Sequence, residues 1–364
     1  SDLIDPYYYI LYEAQLDRPN AVRLLTPENA SHDVSISPSY RYMVDSYSTV
    51  SQEPVNVVRN RNGKVIMTLE KPDLQPVYEM GWKAPERFKV KAADGVTDLY
   101  GVMWKPADFD STKVYPIISN VYPGPFFEYV PTRFTINDVY NTRLAQLGFI
   151  VITVGHRGGT PMRGKAYHTY GYNNMRDYPL ADDKYAIEQL AARYPFIDAT
   201  KVGIYGHSGG GFMSAAAICT YPDFYSAAVS SAGNHDNRIY NKGFVEIHFG
   251  VDEKVKTTKD SLGVESTMYD YSVRVRPNQE LVKNYKHGLL LFTGAMDKTV
   301  NPSNTLRLVD ALIKADKDFE MFVLPKCTHG FFGSSYLLLS SLIISLFKST
   351  SESAELSCNN KRAK

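Results

Sequence analysis

The chain is predicted to be an α/β protein whose main body is a mostly parallel sheet of eight strands, entered through a short all-β segment. Two observations predict this. From about Glu86 onward, short apolar runs of strand length alternate with longer amphipathic stretches, the pattern of a parallel sheet with crossover helices. Before that point the chain offers only short strand-like runs separated by turn residues.

In the N-terminal segment, strands are expected at Tyr7 to Tyr12, Tyr40 to Ser46, Val55 to Arg59 and Lys64 to Leu69. The last two are joined through Asn62-Gly63, a pair suited to a type I′ hairpin turn. Four short strands suit one blade of a β-propeller, and a lone blade cannot cover both of its faces. Residues 1–83 are therefore expected to be the last blade and linker of a truncated propeller, and the chain to be part of a larger protein. The main body, expected over residues 84–347, opens with a hairpin-like pair, Arg87 to Lys91 and Asp98 to Trp104. Strands then follow at Tyr115 to Val121, Phe149 to Val154, Lys201 to Tyr205, Ala227 to Ser231, Leu289 to Thr293 and Phe319 to Leu324. Helices are expected near Asn137 to Leu147, Leu180 to Tyr194, Phe212 to Thr220 and Pro302 to Ala315. Phe331 to Phe347 is apolar, but its 17 residues include five serines and fall short of the roughly 20 that a membrane span needs. It is expected to be the final helix against the sheet, followed by a disordered polar tail, residues 348–364.

The most informative motif is Gly206-His207-Ser208-Gly209-Gly210, between the strand Lys201 to Tyr205 and the small-residue helix Phe212 to Thr220. That is the layout of a nucleophile elbow. The turn strains the serine backbone, so the positions two before and two after it must be nearly free of side chain, and both are glycine. Ser208 is the candidate nucleophile, at a helix N-terminus whose free N–H groups favour a developing oxyanion. A nucleophilic serine needs a base and an orienting carboxylate, which in this architecture come in the chain order Ser, then Asp or Glu, then His. Asp297 follows the run Leu289 to Thr293 through Gly294-Ala295-Met296, and His329 follows the last strand. Each candidate lies just past the C-terminal end of a strand, where open α/β sheets build their sites. His207 lies within the elbow, and His32, His156, His168, His235, His248 and His287 all precede the acid. Together these features assemble an α/β-hydrolase sheet with a Ser208-Asp297-His329 triad.

Composition agrees with an enzyme and argues against other classes. A chain of 364 residues with 44% hydrophobic content can bury a large core. The 40 basic and 39 acidic residues leave a net charge of +1, with no basic stripe to hold nucleic acid. Cys219, Cys327 and Cys358 are too widely spaced for a zinc or disulfide framework. Gly233-Asn234-His235-Asp236 superficially matches a metallophosphoesterase box, yet no partner cluster of metal ligands accompanies it. No metal and no cofactor is expected. Asn29-Ala30-Ser31 fits an N-glycosylation sequon, which carries weight only in a secretory context.

After the third strand of the main body stands Asn120-Val121-Tyr122-Pro123-Gly124-Pro125, and after the fourth Gly155-His156-Arg157-Gly158-Gly159. With the elbow, Gly294-Ala295-Met296-Asp297 and Thr328-His329-Gly330, these segments resemble the prolyl oligopeptidase family of serine peptidases, especially its dipeptidyl peptidase IV branch. The resemblance covers roughly Ala84 to Gly333 and, more loosely, the segment before it. It implies that the Tyr122 hydroxyl and the Gly209 N–H form the oxyanion hole, where many lipases use a glycine-rich backbone loop. It further implies a substrate pocket near Tyr240, Phe244, Val300 and Arg157. Phe244 stands where a second pocket tyrosine is expected, Thr299 where proline-specific members carry an asparagine, and Asn234 to Arg238 lacks their tryptophan. Strict proline specificity is therefore not implied. The family reading is a peptidase acting on short peptides, homodimeric and exported to a periplasm or cell surface. The alternatives are a carboxylesterase of the same fold and a catalytically silent fragment.

Overall fold

The computed structural model describes residues 5–126, 128–136, 138–331 and 340–350. At the N-terminus, β1 (Tyr12–Gln15) and β2 (Arg18–Leu24) pair as an antiparallel hairpin. β3 (Ser31–Ile36), β4 (Tyr42–Ser48), β5 (Val55–Asn60) and β6 (Val65–Thr68) then form an antiparallel four-stranded sheet in chain order. The sheet has the strand number expected, but its first strand is β3 and not Tyr7 to Tyr12. Tyr7 is drawn the other way, buried against the main body, where its hydroxyl bonds Glu128 and Arg87 lies 5.2 Å over its ring. Within this segment Arg59 is 1% exposed and bonds Asp45 and Glu28, while His32 Nδ1 lies within 3.0 Å of both Asp45 oxygens.

After α1 (Gln75–Glu79), the main body runs β7 (Glu86–Lys91), β8 (Asp98–Trp104), β9 (Tyr115–Asn120), α2 (Val139–Gln146) and β10 (Ile150–Val154). It continues through α3 (Lys165–Thr169), α4 (Asp177–Arg193), β11 (Ile197–His207), α5 (Gly209–Thr220), β12 (Tyr225–Ser231) and α6 (Lys242–His248). β13 (Val251–Lys259), β14 (Glu265–Val273), β15 (Leu289–Gly294), α7 (Ser303–Lys314) and β16 (Glu320–Leu324) follow, and then a helix over residues 340–350. Eight of the strands make one sheet in the order β16-β15-β12-β11-β9-β10-β8-β7. Pairing is parallel from β16 to β10 and antiparallel at β8 and β7. This is an α/β-hydrolase fold, and its eight strands are those expected from the apolar runs.

The sheet is covered on both faces, which is why its central strands read as continuous apolar runs. Every residue of β15 is buried. On one face α4, α5 and α7 pack Ile187, Leu190, Ala216, Leu308 and Leu312 against it; on the other lie Leu144 of α2 and Ile343 and Phe347 of the last helix. Leu308 and Leu312, one turn apart and fully buried, turn the same face of α7 inward. Truncating either to alanine would cost about 2–5 kcal/mol. The expected start of the last helix lies partly outside the described residues, and its described part reaches residue 350, into the polar tail; the rest of the tail lies outside them as well. Among the described residues no helix is long and apolar enough to cross a membrane. The β13–β14 hairpin, which the sequence reading passed over, stands exposed along nearly its whole length.

Candidate active site

Parallel strands deliver their C-terminal ends to one edge of the sheet, and the chain turns there after β9, β11, β15 and β16. The turn after β11 is the tightest. Ser208 has φ 57° and ψ −120° and lies directly before α5, and its N–H donates to the Ser231 carbonyl at 2.8 Å. The close approach of the neighbouring loop explains the flanking glycines. A Cβ at Gly210 would come to 2.1 Å from the Val121 carbonyl oxygen, and one at Gly206 to 2.5 Å. The elbow is thus pressed against the turn leading into Tyr122, and a non-glycine residue at either position would push the two apart.

Ser208, Asp297 and His329 come together although they are far apart in sequence. His329 Nε2 lies 3.0 Å from Ser208 Oγ, and Nδ1 lies 2.7 Å from Asp297 Oδ2. Asp297 is 3% exposed, and its other oxygen, Oδ1, accepts the Thr299 and Val300 N–H groups at 2.8 and 2.9 Å. The carboxylate is therefore fixed by backbone donors on one side and free to take the imidazole on the other. The acid and base loops are zipped together: Met296 N–H donates to the Cys327 carbonyl at 3.0 Å. Gly294 makes this possible, because a Cβ there would meet the Thr328 oxygen at 2.4 Å.

Beside Ser208 is a cavity of about 120 Å³ lined by Tyr122, Gly209, Met175, Phe212, Tyr240, Phe244 and Phe249, among others. Its wall is mostly apolar, six of its residues being aromatic, and suits a small apolar group. Burial raises the Tyr122 hydroxyl above the usual tyrosine range, so it keeps its proton near neutrality and can donate. Burial, and then Asp297, does the same for Tyr240.

Two of the residues named from resemblance are placed elsewhere. Val300 is buried and serves Asp297 through its N–H, and it is not part of the cavity wall. Arg157 is committed to an internal ion cluster: Nη2 to Asp182 at 2.7 Å, Nη1 to Asp94 at 3.0 Å, with Tyr170 stacked 4.1 Å beneath the guanidinium. Its charge is consumed in holding the loop after β10.

Two residues that the sequence reading did not assign lie close to the triad or to the Tyr122 loop. His207 packs 4.8 Å from the His329 ring and 5.5 Å from Phe331, with Nδ1 2.9 Å from Ser231 Oγ, and it also hydrogen-bonds the His329 main chain. Burial, followed by the proximity of His329, lowers its pKa to about 4, so it stays neutral. Glu128 turns its carboxyl into the loop after β10. Its only sequence-level signal is an isolated carboxylate within an aromatic stretch.

The metallophosphoesterase-like residues are engaged within the protein. His235 bonds Asn278 and Ser230, and Asp236 bonds Arg238 and Arg307. Glu28, His32 and Asp45 lie close enough to share an ion, but the Arg59 guanidinium already occupies the space between Glu28 and Asp45.

The sequence pattern of the prolyl oligopeptidase family matches residues 137–340, more than half of the chain. Dipeptidyl peptidase 8 of Homo sapiens is 26% identical over 341 residues, 89% of this chain and 36% of that protein; the Mus musculus protein gives the same figures. The chain thus spans little more than a third of these relatives' length. The solved structure of Porphyromonas gingivalis dipeptidyl peptidase 4 shares the fold, with a TM-score of 0.78, 21% identity and coverage of 94% of this chain and 46% of that one.

Proposed function

The chain belongs to the prolyl oligopeptidase family, and from that premise we propose that it works as a serine peptidase of the dipeptidyl-peptidase type, cleaving short peptides through an acyl-enzyme. The observation that carries this is the continuous Ser208–His329–Asp297 relay, at 3.0 and 2.7 Å, with Ser208 at the tip of a strained turn. His329 takes the Ser208 proton as Oγ attacks the scissile carbonyl, then gives it to the departing amine. Asp297 holds the Nδ1–H tautomer and stabilises the imidazolium formed in passing. The Gly209 N–H and the protonated Tyr122 hydroxyl receive the carbonyl oxygen as it becomes charged. Tyr240 and Phe244, which line the cavity beside Ser208, contact the substrate residue whose carbonyl is attacked. Water then releases the acyl group by the same steps in reverse. The four-stranded N-terminal sheet is assigned to the last blade of a propeller that limits access to small substrates.

The test is fluorophosphonate labelling read by intact mass, with Ser208→Ala alongside, followed by turnover of dipeptide anilides with free and blocked amino termini. Labelling that depends on Ser208, with turnover only of free-amino anilides, supports the reading. Hydrolysis of activated esters with anilides untouched would replace it with a carboxylesterase, and absence of labelling in the folded protein would make the chain catalytically silent.

A further inference from the structure

The segment that carries Tyr122 has no regular structure to hold it: the described residues from 121 to 136 form neither helix nor strand. Val121 N–H bonds the Tyr205 carbonyl at its start and Arg133 bonds the His32 carbonyl and Asp33 near its end, and between them three ties meet at one residue. The Tyr167 hydroxyl donates to Glu128 Oε1 at 2.7 Å, the His156 N–H donates to the same oxygen at 3.2 Å, and the Tyr7 hydroxyl donates to Oε2. Space for this carboxyl is cleared by glycine on both sides, since a Cβ at Gly155 or Gly159 would lie 2.4 Å from a Glu128 atom. The next residue of α3 grips the same loop, His168 Nε2 lying 2.6 Å from the Pro125 carbonyl. Beyond the tie, Tyr129 packs its ring 5.5 Å from that of Tyr122.

We infer that Glu128 is a positioning residue that holds the Tyr122 loop in register with Ser208. The inference rests on the reading of Tyr122 as an oxyanion donor. A carboxyl enclosed among tyrosines is a costly way to fill space, because taking a polar group from water without full compensation is unfavourable. Its partners come from three separate stretches of chain, the N-terminal segment, the loop after β10 and α3, and none of them lines the cavity beside Ser208. What they share is the loop they immobilise. A donor displaced by even about 1 Å from its productive position can lose on the order of 10² in rate, so a tie of this kind acts on turnover and leaves ground-state binding nearly unchanged.

The experiment is a double-mutant cycle on anilide turnover in the full-length protein, with circular dichroism and melting curves on each variant. Tyr122→Phe alone should lower kcat about 10²- to 10³-fold, and Glu128→Ala about 10- to 10²-fold with KM little changed. Because the second acts through the first, the double variant should lose no more turnover than Tyr122→Phe alone, and not the product of the two single losses. Glu128→Gln, which keeps the shape and hydrogen-bonding reach, should recover most of the turnover. Where Glu128→Ala does not fold, Tyr167→Phe replaces it in the cycle, removing one donor and leaving the ring. Losses that multiply independently would overturn the inference, as would a Glu128→Gln loss equal to that of alanine. A silent Tyr122→Phe would sink the oxyanion reading and this inference with it, whereas a costly Tyr122→Phe with independent losses would sink this inference alone.

Discussion

Asp297→Asn is the substitution whose outcome the geometry dictates most closely. Asp297 Oδ1 accepts two backbone N–H groups, from Thr299 and Val300, and Oδ2 accepts from His329 Nδ1. An asparagine must put its carbonyl oxygen on one side and its NH₂ on the other. With the NH₂ toward Thr299 and Val300, donors would face donors, and the buried Val300 N–H would be left unpaired at about 1–3 kcal/mol. The amide therefore turns its oxygen to the backbone and its NH₂ to His329. Nδ1 then has to accept, the imidazole proton moves to Nε2, and the nitrogen facing Ser208 can no longer take a proton. Loss of the right tautomer costs about 10⁴ in kcat, roughly 5.5 kcal/mol of barrier. The substitution keeps shape and packing, so the melting temperature should stay close to that of the parent. Anilide turnover and the rate of fluorophosphonate labelling, measured on the same folded samples, check the prediction. A folded Asp297→Asn protein retaining more than about a tenth of parental kcat would refute the tautomer argument and the assignment of Asp297 with it.

Three other outcomes are expected. Gly210→Ala sets a methyl group 2.1 Å from the Val121 oxygen, so the elbow should separate from the Tyr122 loop at a cost of about 1–3 kcal/mol or more, seen as a lower melting temperature together with lost labelling. His207→Phe keeps the ring against His329 and Phe331 but drops the bonds to Ser231 and the His329 main chain; turnover should fall by about 5- to 30-fold, with partial recovery in His207→Gln, and unchanged kinetics in the phenylalanine variant would remove His207 from the site. Burial raises the Glu128 pKa from its ordinary 4.5 to about 7, outweighing the bonds from Tyr7 and Tyr167. The folded protein thus holds a proton that the unfolded chain releases, and this contribution is present below pH 4.5 and lost as pH rises to about 7. His156 and His207, held neutral by burial with values near 4, add a slope of the opposite sign on the acid side. The quantity to read is therefore the difference in melting temperature between parent and Glu128→Gln, which should shift toward the variant between pH 5 and pH 8; a constant difference would mean that Glu128 titrates normally.

What the sequence discloses here and what it hides divide by the range of the forces involved. The elbow could be read because its requirements are local: a backbone strained at Ser208 and pressed against Val121 admits only glycine at 206 and 210, and those glycines are visible in five consecutive letters. Asp297 and His329 could be read because strand ends deliver them, and the runs Leu289 to Thr293 and Phe319 to Leu324 announce those strands on their own. Arg157 shows the limit. The resemblance implies a pocket role for it, but its partners Asp182 and Asp94 are set by tertiary packing that no short motif displays, and they engage the guanidinium. Tyr7 shows the limit again, since a strand-like tyrosine run is overruled by a hydroxyl that finds Glu128 at a separation of 121 residues. The same reasoning explains why Glu128 was invisible. A carboxylate announces a structural role in sequence only when its donors are near it in the chain, and here they are Tyr167, His156 and Tyr7, each contributed by a different segment. Reacting groups must meet a geometry that the backbone itself imposes, and so they leave short motifs; the residues that hold them still are chosen by whatever the fold brings close, and leave none.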